Sequence, residues 1–254
     1  MSNFSNRVSV VILAAGLGTR MKSDRAKVLH ELKGRPMILY VVDVARRIAG
    51  DNVVVVVGHQ AERVKAIVSA EGGAHYALQA EQLGTGHAVM CAIDSIPPSC
   101  EQIIILCGDV PLLTLDTLSQ FVDDHIGNSR AVSVLAVELE NPTGYGRILR
   151  GDDGGVVGIV EEADADQEQK RIGLINTGIY CVNKGFLQSA LADLKTDNAQ
   201  GEFYLTDIIR IAYQNAKPVG VSVGENPVEF SGINSQEDLR AAEKAMDRQD
   251  ANIA

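Results

Sequence analysis

The sequence predicts an α/β fold whose central sheet is mainly parallel and is flanked by helices. Apolar runs of strand length alternate with amphipathic segments of helical length, which is typical of repeated strand–helix units. Runs such as Val8–Ala14 are apolar almost throughout, as strands covered on both faces are. At 254 residues the chain is close to the upper limit for one hydrophobic core. We therefore predict a single domain over residues 1–248 and a frayed tail at 249–254.

Residues 1–130 form the first half of this domain, and in it each predicted strand is followed by a predicted helix. The strands are predicted at Val8–Ala14, at Val53–Val57, in a segment ending near Gln79, and at Ile103–Cys107. The helices are predicted at Pro36–Gly50, at Ala61–Ser69, at Gly84–Ile93, and from the N-cap Thr114 to just before Gly127. Parallel strands need helical crossovers of this kind, so this half should supply the parallel part of the sheet.

Residues 131–234 form the second half, where the strands follow one another with less helix between them. Strands are predicted at Val132–Val137, Arg147–Leu149, Val156–Val160 and Leu174–Val182. We expect a smaller lobe of mixed or antiparallel strands, packed on the first half. Helices return at Lys184–Leu194, at Tyr204–Gln214 and at Ser235–Arg248, the last being the C-terminal helix of residues 235–248.

Composition and charge argue against several classes of function. The formal charge of −10 disfavours nucleic acid as a partner. The four cysteines lack any C-x-x-C pair, which supports neither a zinc site nor a disulfide framework. No apolar run approaches the roughly 20 residues that cross a bilayer, and the start of the chain lacks the apolar core of a secretory signal. We expect a cytoplasmic protein.

The strongest chemical signal is the segment Leu13–Met21, directly after the first predicted strand. Small residues there let backbone N–H groups approach and hold an anion; they are Ala14, Ala15, Gly16 and Gly18. Arg20 and Lys27 add full positive charges for phosphate oxygens. A dinucleotide fingerprint would need glycine in place of Met21, and the Walker pattern is absent. The alternatives are a purely structural turn and a solvated basic loop.

These residues resemble the L-A-A-G-x-G-T-R-M signature, with a downstream lysine, of sugar nucleotidyltransferases. Further motifs are similar to those of the uridylyltransferase domain of bacterial N-acetylglucosamine-1-phosphate uridylyltransferases. They lie at Leu78–Ala88, Gly108–Leu112, Asn141–Arg147, Ile175–Gly178 and Asn198–Asp207. The resemblance runs from about residue 8 to about residue 240. It implies a Rossmann-like fold of the nucleotide-diphospho-sugar transferase type, with residues 131–234 as a sugar-side lobe.

The resemblance implies a reaction in which UTP and N-acetylglucosamine 1-phosphate give UDP-N-acetylglucosamine, a cell-wall precursor, and pyrophosphate. Arg20 and Lys27 are then the expected catalytic residues. The expected nucleotide-binding residues are Leu13, Ala14, Ala15, Gly16, Gly18, Thr19, Gln79, Gly84 and Thr85. Gln79 carries an amide donor and a carbonyl acceptor, which can match the edge of uracil; an ordinary surface glutamine is the alternative.

The resemblance also implies a magnesium site and a sugar site. Asp109 follows a predicted strand, where open α/β sheets bind ligands, and with Asn234 it is the expected Mg²⁺ ligand pair. The alternative for Asn234 is a helix N-cap. The expected sugar-binding residues are Gly146, Glu161, Asn176 and Tyr204. A solvated charge pair is the alternative for Glu161 and Glu162.

Three departures from the family pattern qualify this prediction. Ala26 replaces the proline before Lys27, and Ala163 replaces a lysine near the sugar phosphate, which leaves the sugar acceptor open. The end of the chain shows no hexapeptide repeat, so we expect the family's acetyltransferase β-helix to be absent. The oligomeric state stays open, with a monomer as one candidate. The alternative functions are the same chemistry on another sugar phosphate or nucleotide, and a non-catalytic sensor of nucleotide sugars.

Overall fold

The computed structural model describes residues 7–253, apart from the side chains of Thr19 and of residues 249–253. Residues 1–6, which the predicted absence of a secretory signal concerns, lie outside the described residues, as does Ala254, the last residue of the predicted tail. Among the described residues a sheet of nine strands is covered by helices on both faces. The predicted α/β class with a mainly parallel sheet is confirmed.

The helices and strands are bounded as follows. The strands are β1 (Val8–Ala14), β2 (Glu31–Leu32), β3 (Arg35–Pro36), β4 (Val53–Val57), β5 (His75–Leu78), β6 (Gln102–Cys107), β7 (Val132–Glu138), β8 (Arg147–Arg150), β9 (Val156–Val160), β10 (Leu174–Asn183) and β11 (Val219–Gly224). The helices are α1 (Met37–Ala49), α2 (Ala61–Ala70), α3 (Thr85–Ala92), α4 (Leu115–Gly127), α5 (Lys184–Ala192), α6 (Asp207–Gln214) and α7 (Gln236–Ile253).

The strand order is β11-β7-β10-β6-β1-β4-β5; in addition β8 pairs with β10, β9 pairs with β8, and the β2–β3 hairpin is separate. Strands β6, β1, β4 and β5 are parallel, whereas β10 runs antiparallel to both β6 and β7. The chain leaves β1 towards β4 on one side and later returns to its other side as β6. The order therefore reverses next to β1, which is where open α/β sheets place their ligand crevice.

Burial on both faces explains why the strands are apolar throughout. In β1 the side chains of Val10 and Ile12 join the core under α1, α2 and α4, while Val11 joins the core under α3, α5 and α6. All residues of Val53–Val57 are at most 1% exposed. Burying one valine side chain contributes about 1.5–3 kcal/mol before the entropy of folding is counted.

Several predicted boundaries differ from the structure for local reasons. Helix α1 begins at Met37 because Pro36 has an extended ψ of 132° and pairs within the β2–β3 hairpin. Helix α4 includes Gly127, and Asn128 follows as its C-cap. Helix α6 begins at Asp207 rather than Tyr204, and α7 continues to Ile253. Among the described residues no helix is long and apolar enough to span a bilayer.

Strand β11 was not predicted. It lies at the sheet edge, parallel to β7, and its sequence is interrupted by Gly220 and Gly224. A Cβ at Gly220 would overlap the side chain of Arg130, and one at Gly224 would overlap the ring of Phe230. Tertiary packing therefore requires these glycines, although glycine weakens the local signal for a strand.

A bulge in β10 brings that strand close to the end of β6. The register against β7 shifts between Asn176 and Ile179. Within this bulge Gly178 has a φ of +79°, and a Cβ there would lie 2.7 Å from Cys107 Sγ. The Gly178 N–H donates to Asn176 Oδ1 at 2.9 Å, so the same bulge also orients the Asn176 side chain.

We expect Gly178→Ala to lower the free energy of unfolding by about 1–3 kcal/mol, because a non-glycine residue at this φ is strained and its Cβ meets Cys107. Urea denaturation checks this. The matched control is Gly127→Ala at the end of α4, where no atom lies within 4 Å of the added Cβ. Equal stability of the two variants would contradict the role assigned to Gly178.

Candidate active site

The glycine-rich segment after β1 folds back on itself so that Lys27 packs against Gly18. Gly18 has a φ of +64°, and a Cβ there would lie 2.6 Å from the Cβ of Lys27. The Gly18 carbonyl accepts from the Met21 N–H at 3.0 Å and starts the short 3-10 helix Thr19–Met21. The Thr19 side chain lies outside the described residues. Glycine at position 18 is therefore a requirement of close packing as well as of backbone conformation.

A cleft of about 470 Å³ opens where β1, β5 and β6 end and α3 begins. With the exception of Thr19, all residues predicted to bind the nucleotide line it: Leu13, Ala14, Ala15, Gly16, Gly18, Gln79, Gly84 and Thr85. Lys27 and Asp109 line it as well. The cleft is also lined by residues for which the sequence predicts no role: Gln82, Cys107 and Glu202. Gln82 and Glu202 lie within motifs that resemble those of the family. Only their polar side chains could have marked them, from the sequence, as candidate residues of the site.

The predicted catalytic and metal-binding residues meet in one hydrogen-bonded cluster. Lys27 Nζ lies 2.5 Å from Asp109 Oδ2 and 3.1 Å from Asn234 Oδ1. Arg20 Nη2 donates to the same Asn234 oxygen at 2.8 Å. The side chains of Lys27 and Asp109 are only 19% and 16% exposed, so water screens this pair less than a surface ion pair.

Backbone contacts explain how Asn234 reaches a residue 125 positions before it in the chain. The Ile233 N–H donates to the Asp109 carbonyl at 2.9 Å, which fixes the loop before α7 beside the end of β6. Ser235 is the cap of α7, since its hydroxyl accepts from the Asp238 N–H at 3.2 Å. The interpretation of Asn234 as the N-cap is therefore wrong, and its side-chain oxygen is available to the cluster.

The donor set at Asp109 and Asn234 suits a hard divalent cation. One anionic and one neutral oxygen already share a cation, the ammonium of Lys27. Among the side chains that the structure describes, no group of three or more His, Cys, Asp or Glu residues is arranged to hold a metal. A metal here would take its remaining ligands from substrate oxygens and water, which is how Mg²⁺ is usually bound beside phosphates.

Ala26 keeps the backbone conformation that a proline would impose. Its φ and ψ are −53° and 135°, within the range open to proline. Its N–H, which a proline would lack, donates to Gln60 Oε1 at 3.2 Å. Where the family has the restraint of a proline ring, this chain therefore has a hydrogen bond to Gln60, the residue before α2.

Three of the four predicted sugar-binding residues lie together. The Asn176 N–H donates to the Gly146 carbonyl at 2.8 Å, and a Cβ at Gly146 would lie 3.2 Å from Glu161 Oε2. Glu161 Oε1 accepts from the Thr206 hydroxyl at 3.0 Å. Burial raises the pKa of Glu161, and the Thr206 hydrogen bond lowers it in part.

Glu162 points elsewhere, to a buried arginine. Its carboxylate lies 2.6 Å from the guanidinium of Arg147, which is 1% exposed, and it also accepts from the Gly144 N–H. This contact with Arg147 lowers the pKa of Glu162. The interpretation of Glu161 and Glu162 as a solvated charge pair is therefore wrong, because each carboxylate has a specific partner.

Tyr204, the fourth predicted sugar-binding residue, connects two loops. Its hydroxyl lies 2.8 Å from Gln200 Oε1 and 3.2 Å from Asp164 Oδ2, and burial raises its pKa. Asp164 also accepts from the Ala199 N–H at 2.8 Å. The structure therefore places the Tyr204 hydroxyl in contacts within the protein, while Ala163, which precedes Asp164 in the chain, is exposed.

The profile of the nucleotidyl transferase family matches residues 9–226, from β1 through β11. The chain belongs to the nucleotidyl transferase family. Within it, two relatives are each named bifunctional protein GlmU. The one from Geotalea daltonii is 46% identical over 236 residues, which cover 93% of this chain and 52% of the relative. The one from Caldanaerobacter subterraneus is 47% identical over 238 residues, which cover 94% of this chain and 51% of the relative.

The chain thus spans about half the length of these relatives. A solved structure described as a glucose-1-phosphate thymidylyltransferase from Bacillus anthracis has a TM-score of 0.70 over 94% of both chains, at 19% identity. That likeness shows the fold of this nucleotidyl transferase. The cleft at the switch in strand order and the cluster around Lys27 are the parts of the fold where the family's chemistry is to be sought.

We expect Thr206→Val to raise the pKa of Glu161 above its value in the unmodified protein, because the hydrogen bond that lowers this pKa is lost. Thr206→Ser keeps a hydroxyl and should leave the pKa nearly unchanged. Carboxyl-carbon NMR titration measures both. A Glu161 that titrates identically in the valine and serine variants would show that the hydroxyl has no influence.

Proposed function

We propose that this chain joins UTP to N-acetylglucosamine 1-phosphate, giving UDP-N-acetylglucosamine and pyrophosphate. The observation that carries the proposal is the convergence of Arg20, Lys27, Asp109 and Asn234 at the edge of a cleft lined by a glycine-rich segment. Membership of the nucleotidyl transferase family and 46–47% identity to proteins named GlmU support it. A cytoplasmic location belongs to the proposal, because the substrates are intracellular metabolites.

The reaction is an in-line displacement that needs no protein nucleophile. A phosphate oxygen of the acceptor, ionised at neutral pH, forms a bond to the α-phosphorus of UTP, and the bond to the bridging oxygen breaks to release pyrophosphate. Arg20 and Lys27 hold the oxygens of the departing pyrophosphate, where negative charge accumulates. Backbone N–H groups of the glycine-rich segment position the triphosphate for attack.

Mg²⁺ is part of the proposal, with Asp109 and Asn234 as its protein ligands. When bound, it would neutralise phosphate charge and help to orient the two substrates. The shared contact of both oxygens with the Lys27 ammonium supports this assignment, since it shows that one small cation can engage both.

Recognition of the two substrates is divided between the two halves of the fold. Gln79 at the end of β5 offers an amide to the uracil edge. Gly146, Glu161 and Asn176 offer a backbone carbonyl, a carboxylate and an amide to the sugar, with Tyr204 as a further candidate. Ala163 is exposed and stands where the family has a lysine on the sugar-phosphate side. The sugar 1-phosphate is therefore the substrate to vary first in assays of activity.

We expect pyrophosphate release from UTP to be fastest with N-acetylglucosamine 1-phosphate among a panel of sugar 1-phosphates, and to stop when a chelator removes Mg²⁺. A coupled phosphate assay measures both. Faster release with another sugar would retain the mechanism and change the acceptor. Tight binding of UDP-sugars without turnover of any nucleotide or sugar would refute catalysis.

We expect Arg20→Ala to lower kcat by about 10²–10³, because one donor to developing charge is lost. The matched control is Arg25→Ala in the same basic segment, where the guanidinium pairs with Glu31 at 2.8 Å outside the cluster. The control should retain kcat within a few-fold. If both variants lose activity equally, general positive charge explains the effect and a specific role of Arg20 is refuted.

A further inference from the structure

The amide of Gln79 is held in one orientation by two acceptors. Its Nε2 lies 3.0 Å from the carbonyl oxygen of Gly84 and 3.2 Å from His87 Nδ1. A carbonyl oxygen can only accept, so the atom facing Gly84 is the amide nitrogen rather than Oε1. The second amide hydrogen then points to His87 Nδ1, which must act as an acceptor and carry no proton.

His87 is itself fixed from two other directions. Its ring lies tilted at 32° to that of Phe203, with 6.4 Å between the centroids. Its Nε2 lies 3.8 Å from the sulfur of Cys91, one turn along α3. The Nε2 proton of the neutral ring therefore has a weak acceptor, which favours the tautomer that the contact with Gln79 requires.

Two acceptors determine the plane of the amide, which one acceptor cannot do. A single hydrogen bond to Gly84 would let the amide swing about that direction, whereas a second bond to His87 fixes the direction of Oε1. Gln79 is 4% exposed and lines the cleft. Within the part of the chain that the structure describes, its Oε1 accepts no hydrogen bond. This oxygen is therefore an acceptor left over for a ligand in the cleft.

We propose that His87 is a positioning residue that sets the base specificity of this site. With Oε1 fixed as an acceptor, the site favours uracil, whose N3 carries a hydrogen, over cytosine, whose N3 is itself an acceptor. With cytosine, a lone pair of Gln79 Oε1 and the lone pair of N3 would face each other in a desolvated position, which would weaken binding of the cytosine nucleotide. The inference rests on the proposed function for its ligand, a pyrimidine nucleotide.

The experiment compares the unmodified protein with His87→Phe and His87→Asn. Phenylalanine keeps a ring against Phe203 and removes the acceptor, while the Oδ1 of asparagine can accept near the position of Nδ1. We expect His87→Phe to lower the ratio of kcat/KM for UTP to that for CTP by about tenfold, mainly through KM for UTP, because the amide loses its fixed plane. His87→Asn should restore most of the ratio.

Two further measurements separate this inference from the proposed function. Calorimetric binding of UDP and CDP to the same three proteins reports base preference without turnover. Nitrogen NMR of His87 reports whether Nδ1 is unprotonated in the unmodified protein. An unmodified protein that turns over no nucleotide would overturn the proposed function, while the binding ratio and the tautomer would still test His87. A UDP-to-CDP ratio unchanged in folded His87→Phe, or a protonated Nδ1, would overturn the role of His87.

Discussion

The contact of the Lys27 ammonium with Asp109 and Asn234 is the interaction on which the arrangement of the site depends. It joins the segment after β1, the end of β6 and the loop before α7, which are far apart in the chain. A different backbone feature places each segment. The segment after β1 turns at the positive φ of Gly18, Asp109 follows the end of the buried strand β6, and the loop before α7 is held by the hydrogen bond from the Ile233 N–H to the Asp109 carbonyl. A partly buried ion pair stabilises much less if one partner is misplaced, so all three features need to be present together.

The sheet explains why this contact can form at all. Strands β1 and β6 are parallel neighbours, so their carboxyl ends lie at the same edge and place the glycine-rich segment beside Asp109. Strand β10, antiparallel to β6, carries the bulge that brings Asn176 towards the same edge. One sheet therefore serves both halves of the chain, since strands β7, β8, β9, β10 and β11 all belong to it.

The sequence was sufficient for the parts of the structure with a local signature. Fully apolar strands such as Val53–Val57 and the glycine-rich segment could be recognised because their patterns arise from burial and from backbone conformation. The parts that could not be predicted depend on contacts between residues far apart in the chain. The glycines of β11 are explained by close packing against Arg130 and Phe230. The cap of α7 is Ser235 because its hydroxyl accepts from the Asp238 N–H, whereas the Asn234 side chain faces Lys27. The partner of the Gln79 amide, His87, is close in sequence, but a residue list does not show which way an amide points. The assignments of Gly146, Glu161, Asn176 and Tyr204 to the sugar stay predictions.

Ala26 illustrates how a local restraint becomes shared between distant residues. A proline would hold the chain before Lys27 by its own ring, whatever its surroundings. Here the same backbone angles are accompanied by a hydrogen bond from Ala26 to Gln60. The stiffness of the segment is thus epistatic: in this chain it depends on the side-chain amide of Gln60, whose oxygen accepts from the Ala26 N–H and whose nitrogen donates to the Asp24 carbonyl.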